Sequence, residues 1–314
     1  MDTREHLTVA ALGAVERGWH VFPLLPNGKR PALHGHDTCP GTGPCADGHR
    51  TPEQRATTDP ARICAAWAHK PYNIGIATGP SGLCVLDLDT LKHQETVPDR
   101  WAAENATSGE DVLAILATDA GEELPGDTLT VRTASGGLHL YFTAPAGIEL
   151  RNTSGEHGRG LGWKIDTRAW GGYVVAAGSI TPAGTYQLVY DGHTAPLPGW
   201  LADRLNPTPP PPAPVTPIRP RGGQRSRYVE AAVRAETAKV HHAAKGQRNA
   251  ALYGAAVALG QLVAGGALTA DEHEAVLLRA AGRHITCRAY SEHEARRTIA
   301  SGLRAGANRP RRIA

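Results

Sequence analysis

Residues 82–90 read GLCVLDLDT, an apolar run in which Asp87 and Asp89 stand two positions apart. A short apolar run of this kind is typical of a buried β-strand. Residues i and i+2 of a strand point to the same face, so we expect the two aspartates to lie side by side. Neighbouring carboxylates repel each other unless a cation lies between them, and hard divalent cations prefer oxygen ligands. The stretch therefore predicts a strand carrying part of a metal site, for which a third ligand is needed.

The candidate for the third ligand is Asp166, in the segment GWKIDTR at residues 162–168. This segment is another short apolar strand that ends in a carboxylate. Three carboxylates from neighbouring strands can hold two cations about 3.5–4 Å apart, the arrangement that serves in-line phosphoryl or nucleotidyl transfer. A strand-end turn, or a salt bridge to Arg168, is the alternative interpretation of Asp166.

Between the two acidic strands, residues 135–142 read SGGLHLYF. Gly136 and Gly137 allow close backbone approach and expose amide N–H groups to an anion. His139 and Tyr141 share a face of the predicted strand, where His139 can donate a hydrogen bond to a triphosphate. An ordinary hairpin turn followed by a strand histidine is the alternative.

The segments around these motifs predict the fold class. Helical patterns cover residues 5–18, 60–69 and the acidic segment 91–123, with Asp59 as the expected N-cap of the second. Strand patterns cover residues 19–25, 73–78, 82–90, 128–133, 138–144, 163–169, 173–180 and 185–190. Strands and helices interleave early and strands follow one another late, which favours an α+β fold over a doubly wound sheet.

A proline-rich stretch divides the chain. Residues 206–220 contain eight prolines in fifteen positions, which favours a semi-rigid extended spacer; a ligand for a proline-binding module is the alternative. We predict an α+β catalytic domain at 1–205, a linker at 206–224 and a small all-α bundle at 225–314. Within the bundle, Thr269 with Glu272 and Ser291 with Glu294 each fit a capping box at a helix start.

The net charge changes sign at the same place. Residues 1–218 contain 16 lysines and arginines against 23 acids, a net −7, whereas residues 219–314 contain 17 against 7, a net +10. A basic C-terminal third indicates an anionic partner such as nucleic acid, and a solvated helical surface is the alternative. The cations concerned are Arg225, Arg227, Lys245, Arg248, Arg296, Arg297, Arg304, Arg309, Arg311 and Arg312.

A second group of potential ligands lies in residues 34–49, HGHDTCPGTGPCADGH. Cys39, Cys45 and His49, with His36 or alternatively His34 as the fourth, are the ligand types that structural zinc binds tetrahedrally. The spacing matches no standard zinc-finger pattern, and a metal-free loop with two surface thiols is the alternative. We expect the other cysteines to be small core residues: Cys64, Cys84 and Cys287.

Taken in order, the segments DLD, SGGLHLYF and KIDTRAWGGYVVAAGS make the chain resemble the archaeo-eukaryotic primase superfamily. Within it, the resemblance is to the bifunctional DNA primase/polymerase (Prim-Pol) group of plasmids, phages and integrated elements. It covers residues 5–205 and includes GKRP at 28–31, ATTDP at 56–60 and NIGIATG at 73–79. The family usually has two prolines before the serine of its third motif region, where this chain has AAGS at residues 176–179.

The resemblance implies a two-lobed α+β domain whose catalytic sheet is similar to an RNA-recognition (RRM) sheet. It implies a templated nucleotidyltransferase that acts on a DNA template and nucleoside triphosphates, with a C-terminal helical domain that helps to engage the template. Some members of the superfamily also carry a small zinc element near the active site. The implied site residues are Asp87, Asp89 and Asp166 as ligands of Mg²⁺ or Mn²⁺, and His139, Ser135, Gly136, Gly137, Arg168 and Lys29 as contacts to the nucleotide phosphates.

Other features narrow the class of protein. The chain has no run of eighteen apolar residues for a membrane span, and its N-terminus lacks the hydrophobic run of a secretory signal. Five irregularly spaced cysteines favour the reducing cytoplasm over a disulfide scaffold. No Walker A pattern is present, so any replicative helicase is expected to be a separate protein. Two alternatives remain: a metal-dependent sugar-nucleotide transferase, and a non-catalytic replication-initiation protein that binds DNA.

Overall fold

A computed structural model describes residues 2–206, 224–287 and 289–311, the side chains of residues 36 and 224–226 excepted. The chain divides into two compact units, Met1–Thr208 and Pro209–Ala314. The first unit mixes strands and helices, and the second is helical in its described part, so the predicted α+β class with a helical C-terminal region is confirmed. Nearly all of the proline-rich linker predicted at 206–224 lies outside the described residues, and the domain limits stay predictions.

The elements are numbered in chain order. The helices are α1 (Thr3–Glu16), α2 (Pro52–Arg55), α3 (Pro60–His69), α4 (Asp99–Ala103), α5 (Gly109–Ala120), α6 (Gly199–Leu205), α7 (Gln224–His242), α8 (Arg248–Ala264), α9 (Ala270–Thr286) and α10 (Glu292–Ala307). The strands are β1 (Val21–Leu24), β2 (Asn73–Ala77), β3 (Leu83–Leu88), β4 (Thr130–Arg132), β5 (Leu138–Thr143), β6 (Ile165–Arg168), β7 (Tyr173–Val175), β8 (Ile180–Thr181), β9 (Gly184–Thr185), β10 (Gln187–Tyr190) and β11 (Ala195–Pro196).

The smaller main sheet of the first unit has the order β1-β2-β7, with antiparallel neighbours. Helices α1 and α3 contribute to the same core, in which Leu7 and Trp67 are buried. Helix α3 begins as its sequence predicts, because the Asp59 carboxylate accepts the backbone N–H of Ala61 at 2.9 Å. The smaller sheet, α1 and α3 therefore share one hydrophobic core in the first unit.

The larger sheet has the order β10-β4-β5-β3-β6, with antiparallel neighbours along this path, and β11 runs parallel beside β5. Side chains of β3 alternate between two cores. Val85 packs into the core shared with the smaller sheet, whereas Leu86 and Leu88 pack into the core formed with α5 and α6. Because the alternation has a period of two, Asp87 projects from the same face as Val85, toward the smaller sheet.

The helical unit is built from α7, α8, α9 and α10 in its described part. Both predicted capping boxes form, at Thr269 before α9 and at Ser291 before α10. Helices α8 and α10 meet at glycines: a Cβ added to Gly306 would lie only 2.6 Å from the carbonyl oxygen of Val257. The contact therefore depends on the absence of side chains at this crossing.

The structure corrects three expectations. The acidic segment 91–123 is not continuously helical, because a turn with Gln94 at φ +67° and then Pro98 precede α4. Cys64 and Cys287 are exposed and not core residues, whereas Cys84 is buried as expected. The strand predicted at 173–180 ends at Val175, since Gly178 adopts a φ of +87° that breaks it.

Candidate active site

Three polar side chains, those of His139, Asp87 and Asp166, lie side by side on one face of the larger sheet. In the registers of β3 with β5 and of β3 with β6, Asp87 lies directly opposite both His139 and Asp166. Directly opposed residues of antiparallel strands project to the same face, with Cβ atoms about 4.5–5.5 Å apart. Asp87 is therefore the central member, and its Oδ1 lies 3.4 Å from His139 Nε2.

Asp89 lies just beyond the end of β3, and not within the strand as its sequence predicts. Its backbone N–H donates to the Lys164 carbonyl at 2.9 Å, and its own carbonyl accepts the Gly109 N–H at 2.8 Å. These bonds fix the chain beyond the strand, so that Asp89 borders the same cavity as Asp87. Burial, together with the negative charges of Asp87 and Asp166, raises the pKa of Asp89.

Arg168 brings a positive charge to the aspartates. Its Nη2 lies 2.8 Å from Asp166 Oδ2 and 3.8 Å from Asp87 Oδ2. The salt bridge between Arg168 and Asp166 thus coexists with the convergence of the carboxylates. Burial alone would raise the pKa of Asp87, but the hydrogen bond to His139 and the charges of His139 and Arg168 outweigh it, and the pKa is lowered.

The aspartates open into a cavity of about 430 Å³ between the two main sheets of the first unit. Its described lining residues are Lys29, Asp87, Asp89, Lys92, Thr133, Ser135, His139, Asn152, Asp166, Arg168, Gly171, Gly172, Tyr173, Val174, Val175 and Tyr186. A larger, mostly apolar cavity of about 660 Å³ lies beside α1, but no cluster of carboxylates borders its described walls. Because the three carboxylates border the cavity of about 430 Å³, that cavity is the candidate active site.

The turn between β4 and β5 needs both of its central glycines. Gly136 has a φ of +92°, in the region that favours glycine, and a Cβ added to Gly137 would overlap the carbonyl oxygen of Leu88. Ser135 borders the cavity, whereas Gly136 and Gly137 are not among its described lining residues. The two glycines let the turn approach the end of β3, and their contact with nucleotide phosphates stays a prediction.

Lys29 borders the cavity from the loop after β1, and Tyr186 lies beside it. The Lys29 ammonium is 5.7 Å from the centroid of the Tyr186 ring. A hydrogen bond with Tyr186 raises the pKa of Lys29, against the opposing effect of burial. Tyr186 and Asn152 are lining residues that the sequence did not predict, since neither belongs to a local motif and only the path of the chain brings them to the cavity.

The Cys/His loop of residues 34–49 brings four ligand atoms to within 4.8 Å of one another, one from each of His34, Cys39, Cys45 and His49. His34 is thus one of the two histidines predicted as the fourth ligand that the structure brings to the group, whereas the side chain of His36 lies outside the described part of the structure and its place stays a prediction. His34 Nε2 lies 3.4 Å from Cys45 Sγ. Cys45 is fully buried, and its Sγ also accepts the backbone N–H of Arg50 at 3.4 Å.

Helix α2 connects this loop to the wall of the cavity. Thr51 and Gln54 form a capping box at its start. The Glu53 Oε1 accepts the backbone N–H of Gly171 at 2.9 Å, and Gly171 borders the cavity. On the other side of the helix, Arg55 Nη1 lies 3.5 Å from His34 Nδ1.

The basic residues of the helical unit are mostly at its surface. Arg227, Lys245, Arg297, Arg304 and Arg309 are exposed, and Arg248 is partly buried. Arg296 pairs with Glu274 and Glu292, and Arg311 contacts Gln261 and Tyr228. The side chain of Arg225 and the whole of Arg312 lie outside the described residues.

Comparison with protein families identifies the family of the chain. The model of the N-terminal domain of bifunctional DNA primase/polymerase (Prim-Pol) matches residues 11–200, more than half of the chain. The chain therefore belongs to the Prim-Pol family, and the resemblance inferred from its motifs is confirmed. A search of curated proteins found no significant match. Among the described residues, no helix combines the length and apolar character needed to span a membrane.

Proposed function

We propose that this protein is a DNA primase/polymerase that starts or extends a strand on a DNA template by metal-dependent nucleotidyl transfer. The observation that carries the proposal is the register of β3 between β5 and β6. It sets Asp166 and His139 on either side of Asp87, at a cavity that Asp89 also borders. Membership of the Prim-Pol family supports the same reaction class.

Asp87, Asp89 and Asp166 fit the needs of two divalent cations. Their carboxylates are hard oxygen donors crowded at one cavity, and the raised pKa of Asp89 reflects the mutual repulsion as well as burial. Mg²⁺ or Mn²⁺ bound there would favour the ionised 3′-hydroxyl and stabilise the charge of the pyrophosphate leaving group. Arg168, already paired with Asp166, offsets part of the negative charge when cations are absent.

The cations of the cavity wall suit the triphosphate of an incoming nucleotide. Lys29 and Arg168 border the cavity with Ser135, and all three can donate hydrogen bonds to phosphate oxygens. His139 is 4% exposed and its Nε2 faces Asp87, so its first role in this proposal is to hold that carboxylate in place. Contact of His139 with a phosphate, as the family resemblance implies, is the second part of its proposed role.

The larger sheet supports the proposed relation to an RRM-type sheet. Its central order is β4-β5-β3-β6, and α5 connects β3 to β4, as in the βαββ portion of a ferredoxin-like sheet. We place the two lobes of the catalytic domain at the two main sheets, with the cavity between them. The basic helical unit would hold the template, and a helicase acting with the protein in a plasmid, phage or integrated element would be a separate chain. A cytoplasmic location is part of the same hypothesis.

We also propose that His34, Cys39, Cys45 and His49 bind a structural zinc ion. Two thiols and two imidazoles are a ligand set that zinc accepts in tetrahedral geometry, and the burial of Cys45 suits a closed structural site. Because α2 follows this loop and its Glu53 holds Gly171, the zinc would stabilise one wall of the catalytic cavity.

The test is incorporation of labelled nucleotides on a single-stranded DNA template with Mn²⁺, with and without a primer. The double variant Asp87→Asn, Asp89→Asn should lose at least about 10²-fold in rate, because it removes charges that stabilise the transition state. The matched control is Asp191→Asn, which changes an exposed aspartate whose partner is Arg17.

Wild-type incorporation by the double variant would remove the catalytic assignment. Turnover of a sugar nucleotide in place of templated incorporation would favour the transferase alternative. DNA binding without incorporation by the unaltered protein would favour a non-catalytic initiation protein.

A further inference from the structure

The cavity of the candidate active site has two chemically different ends along β3. Lys92, four residues beyond the last residue of β3, and Ser135, in the turn that leads into antiparallel β5, border the cavity where β3 ends. At the other end, Arg168 is paired with Val85 in the register of β3 with β6, and the chain continues in the same direction to Trp170. Hydrogen-bond donors for phosphate therefore mark one end, and an indole lies beyond the other.

Trp170 provides an exposed aromatic ring beside this second end. The residue is 41% exposed, and Tyr190 is the only other exposed aromatic residue in the described part of the first unit. A Cβ added to Gly79 would lie 2.7 Å from Cε3 and 2.8 Å from Cδ2 of the Trp170 indole, so the ring packs directly against this glycine. The turn between β2 and β3 thus supports the ring, while the rest of its surface is open to solvent.

Hydrogen bonds hold the backbone on both sides of Trp170. Its own N–H donates to the Leu150 carbonyl at 3.1 Å, and the carbonyl of Ala169 accepts the Thr78 hydroxyl at 2.6 Å. The next residue, Gly171, is bonded to the glutamate of α2 and borders the cavity. A large ring on a backbone that is already ordered loses little conformational entropy when it contacts a ligand.

Polar and basic side chains flank the ring. The Arg151 side chain is 69% exposed and pairs with Glu149, and its Nη1 would lie 3.7 Å from a Cβ on Gly171. Asn152 and Arg168 border the cavity on the same side. A protein partner would be expected to meet a contiguous apolar patch. A single aromatic ring among basic and polar groups instead suits a nucleic acid strand, whose bases stack on the ring and whose phosphates face the cations.

In-line nucleotidyl transfer places the attacking 3′-hydroxyl and the leaving pyrophosphate on opposite sides of the reacting phosphorus. Since Lys92 and Ser135 suit the triphosphate at the end of β3, the opposite end is left for the strand that brings the hydroxyl. We propose that Trp170 stacks on the 3′-terminal base of the primer strand and so positions its hydroxyl. Such stacking accepts any sequence, because every base has a π-face. This inference rests on the proposed function, since it concerns the strand to be extended.

The experiment measures binding of the full-length protein to a dye-labelled primer–template by fluorescence anisotropy, with Mn²⁺ and without nucleotides. It compares a primer with a natural 3′-terminal base and one that ends in an abasic residue with its 3′-hydroxyl intact. The wild type should bind the natural terminus about tenfold more tightly, as expected for one base stacked on an aromatic ring. Trp170→Leu should bind both primers equally, whereas Trp170→Phe should keep a preference of roughly threefold because it retains an aromatic face.

The matched control is Tyr190→Leu, which removes an exposed aromatic ring from β10, at the opposite end of the sheet order from β6. This variant should keep the wild-type preference. Equal affinity of the wild type for the two primers would overturn the proposal, even if Trp170→Leu fails to fold. A preference that persists in Trp170→Leu would also overturn it. In a further arm the abasic residue is in the template strand, and a Trp170-dependent loss there but not at the primer terminus would overturn the assignment to the primer.

Steady-state incorporation separates this inference from the proposed function. Trp170→Leu should raise the KM for primer–template by about tenfold and leave the KM for the nucleotide unchanged. A rise in the nucleotide KM alone would assign the ring to the incoming base and overturn the proposal. A wild-type protein that incorporates nothing, but shows the Trp170-dependent preference for a base at the terminus, would reject the polymerase and keep the strand site.

Discussion

The position of Asp87 is set by two strand registers, that of β3 with β5 and that of β3 with β6. Its Cα is paired with His139 on one side and with Asp166 on the other, so its carboxylate has an imidazole and a second carboxylate as nearest sheet neighbours. Asp89 extends the group beyond the strand because its backbone is bonded to Lys164 and Gly109. At the scale of single residues, the site therefore depends on backbone geometry as much as on charge.

A substitution at Gly137 tests whether the site depends on backbone geometry. A side chain there would overlap the Leu88 carbonyl, so Gly137→Ala must displace the β4–β5 turn from the end of β3. We expect a loss of roughly 1–3 kcal/mol in the free energy of unfolding, together with reduced incorporation. Urea unfolding followed by tryptophan fluorescence measures it. Gly126→Ala is the control, because a Cβ at that position meets no atom within 4 Å; equal stability of the two variants would contradict the close approach.

His273 predicts a pH dependence of the helical unit. It is fully buried and its Nε2 lies 2.9 Å from the Ala256 carbonyl, and burial lowers its pKa. A lowered folded-state pKa means that the unfolded chain binds the proton more readily, so stability rises with pH across this range. The contribution is complete above the ordinary histidine value near 6.5 and is lost as the pH falls below it.

Amide hydrogen exchange of α8 and α9 between pH 8 and pH 5, corrected for chemical exchange rates, measures this effect. His273→Gln keeps a donor for the carbonyl but does not titrate, so it should flatten the profile. His241→Gln, at an exposed position, should leave the profile as it is. A wild-type slope in His273→Gln would show that other groups set it.

Residue-scale prediction from the sequence had a clear limit. The spacing of Asp87 and Asp89 and the apolar strand before Asp166 were enough to nominate the three carboxylates, because period-two alternation is a local property. Tyr186 and Asn152 could not be nominated, since both lie outside the strands and only the tertiary path of the chain brings them to the cavity. The choice between His34 and His36 was left open for a related reason, because the loop has no sequence period that fixes which imidazole turns toward Cys39, Cys45 and His49.

At the scale of elements, helix starts were predictable and helix packing was not. Asp59, Thr269 and Ser291 cap the helices that their motifs indicate, because a cap is an interaction over three residues. The glycine contact between α8 and α10 depends on which helices become neighbours. Similarly, the break in the acidic segment before α4 reflects a turn that net charge does not reveal.

The α8–α10 contact gives a direct prediction. A Cβ at Gly302 would overlap that of Ala256, so Gly302→Ala should lower the stability of the helical unit by roughly 1–3 kcal/mol. Gly254→Ala should instead raise it by up to about 1 kcal/mol, since Gly254 is exposed within α8 and its added methyl meets no atom within 4 Å. Thermal unfolding followed by circular dichroism compares them, and destabilisation by both variants would contradict the assigned contact.

At the scale of the whole molecule, two compact units carry different proposed tasks: the first holds the cavity and the Cys/His cluster, and the second has a net positive charge, with 17 lysines and arginines against 7 acids. The sign change in net charge predicted from composition alone that the chain has two parts of opposite charge, and their tasks stay proposals. Composition could not indicate how either unit packs.

Metal removal should affect only the first unit. All six tryptophans lie between residues 19 and 200, so their fluorescence reports the unfolding of that unit. A zinc chelator, or Cys45→Ser, should lower its unfolding midpoint, because metal binding to a structural site contributes folding free energy. Hydrogen exchange of α8 and α9 should not change.

Elemental analysis of the purified protein should find one zinc per chain, lost in Cys45→Ser but retained in Cys64→Ser. A zinc-free wild-type protein with the same midpoint would contradict the site.

The central claim is that carboxylates from separate strands bind divalent cations together, and Mn²⁺ binding measured by the electron paramagnetic resonance signal of the free ion tests it most directly. Asp166 lies on β6 and Asp87 on β3, so only their convergence can make Mn²⁺ affinity depend on both. Asp166→Asn should weaken Mn²⁺ binding by more than about tenfold, whereas Asp191→Asn should bind as the wild type. Wild-type Mn²⁺ affinity in Asp166→Asn would contradict the account.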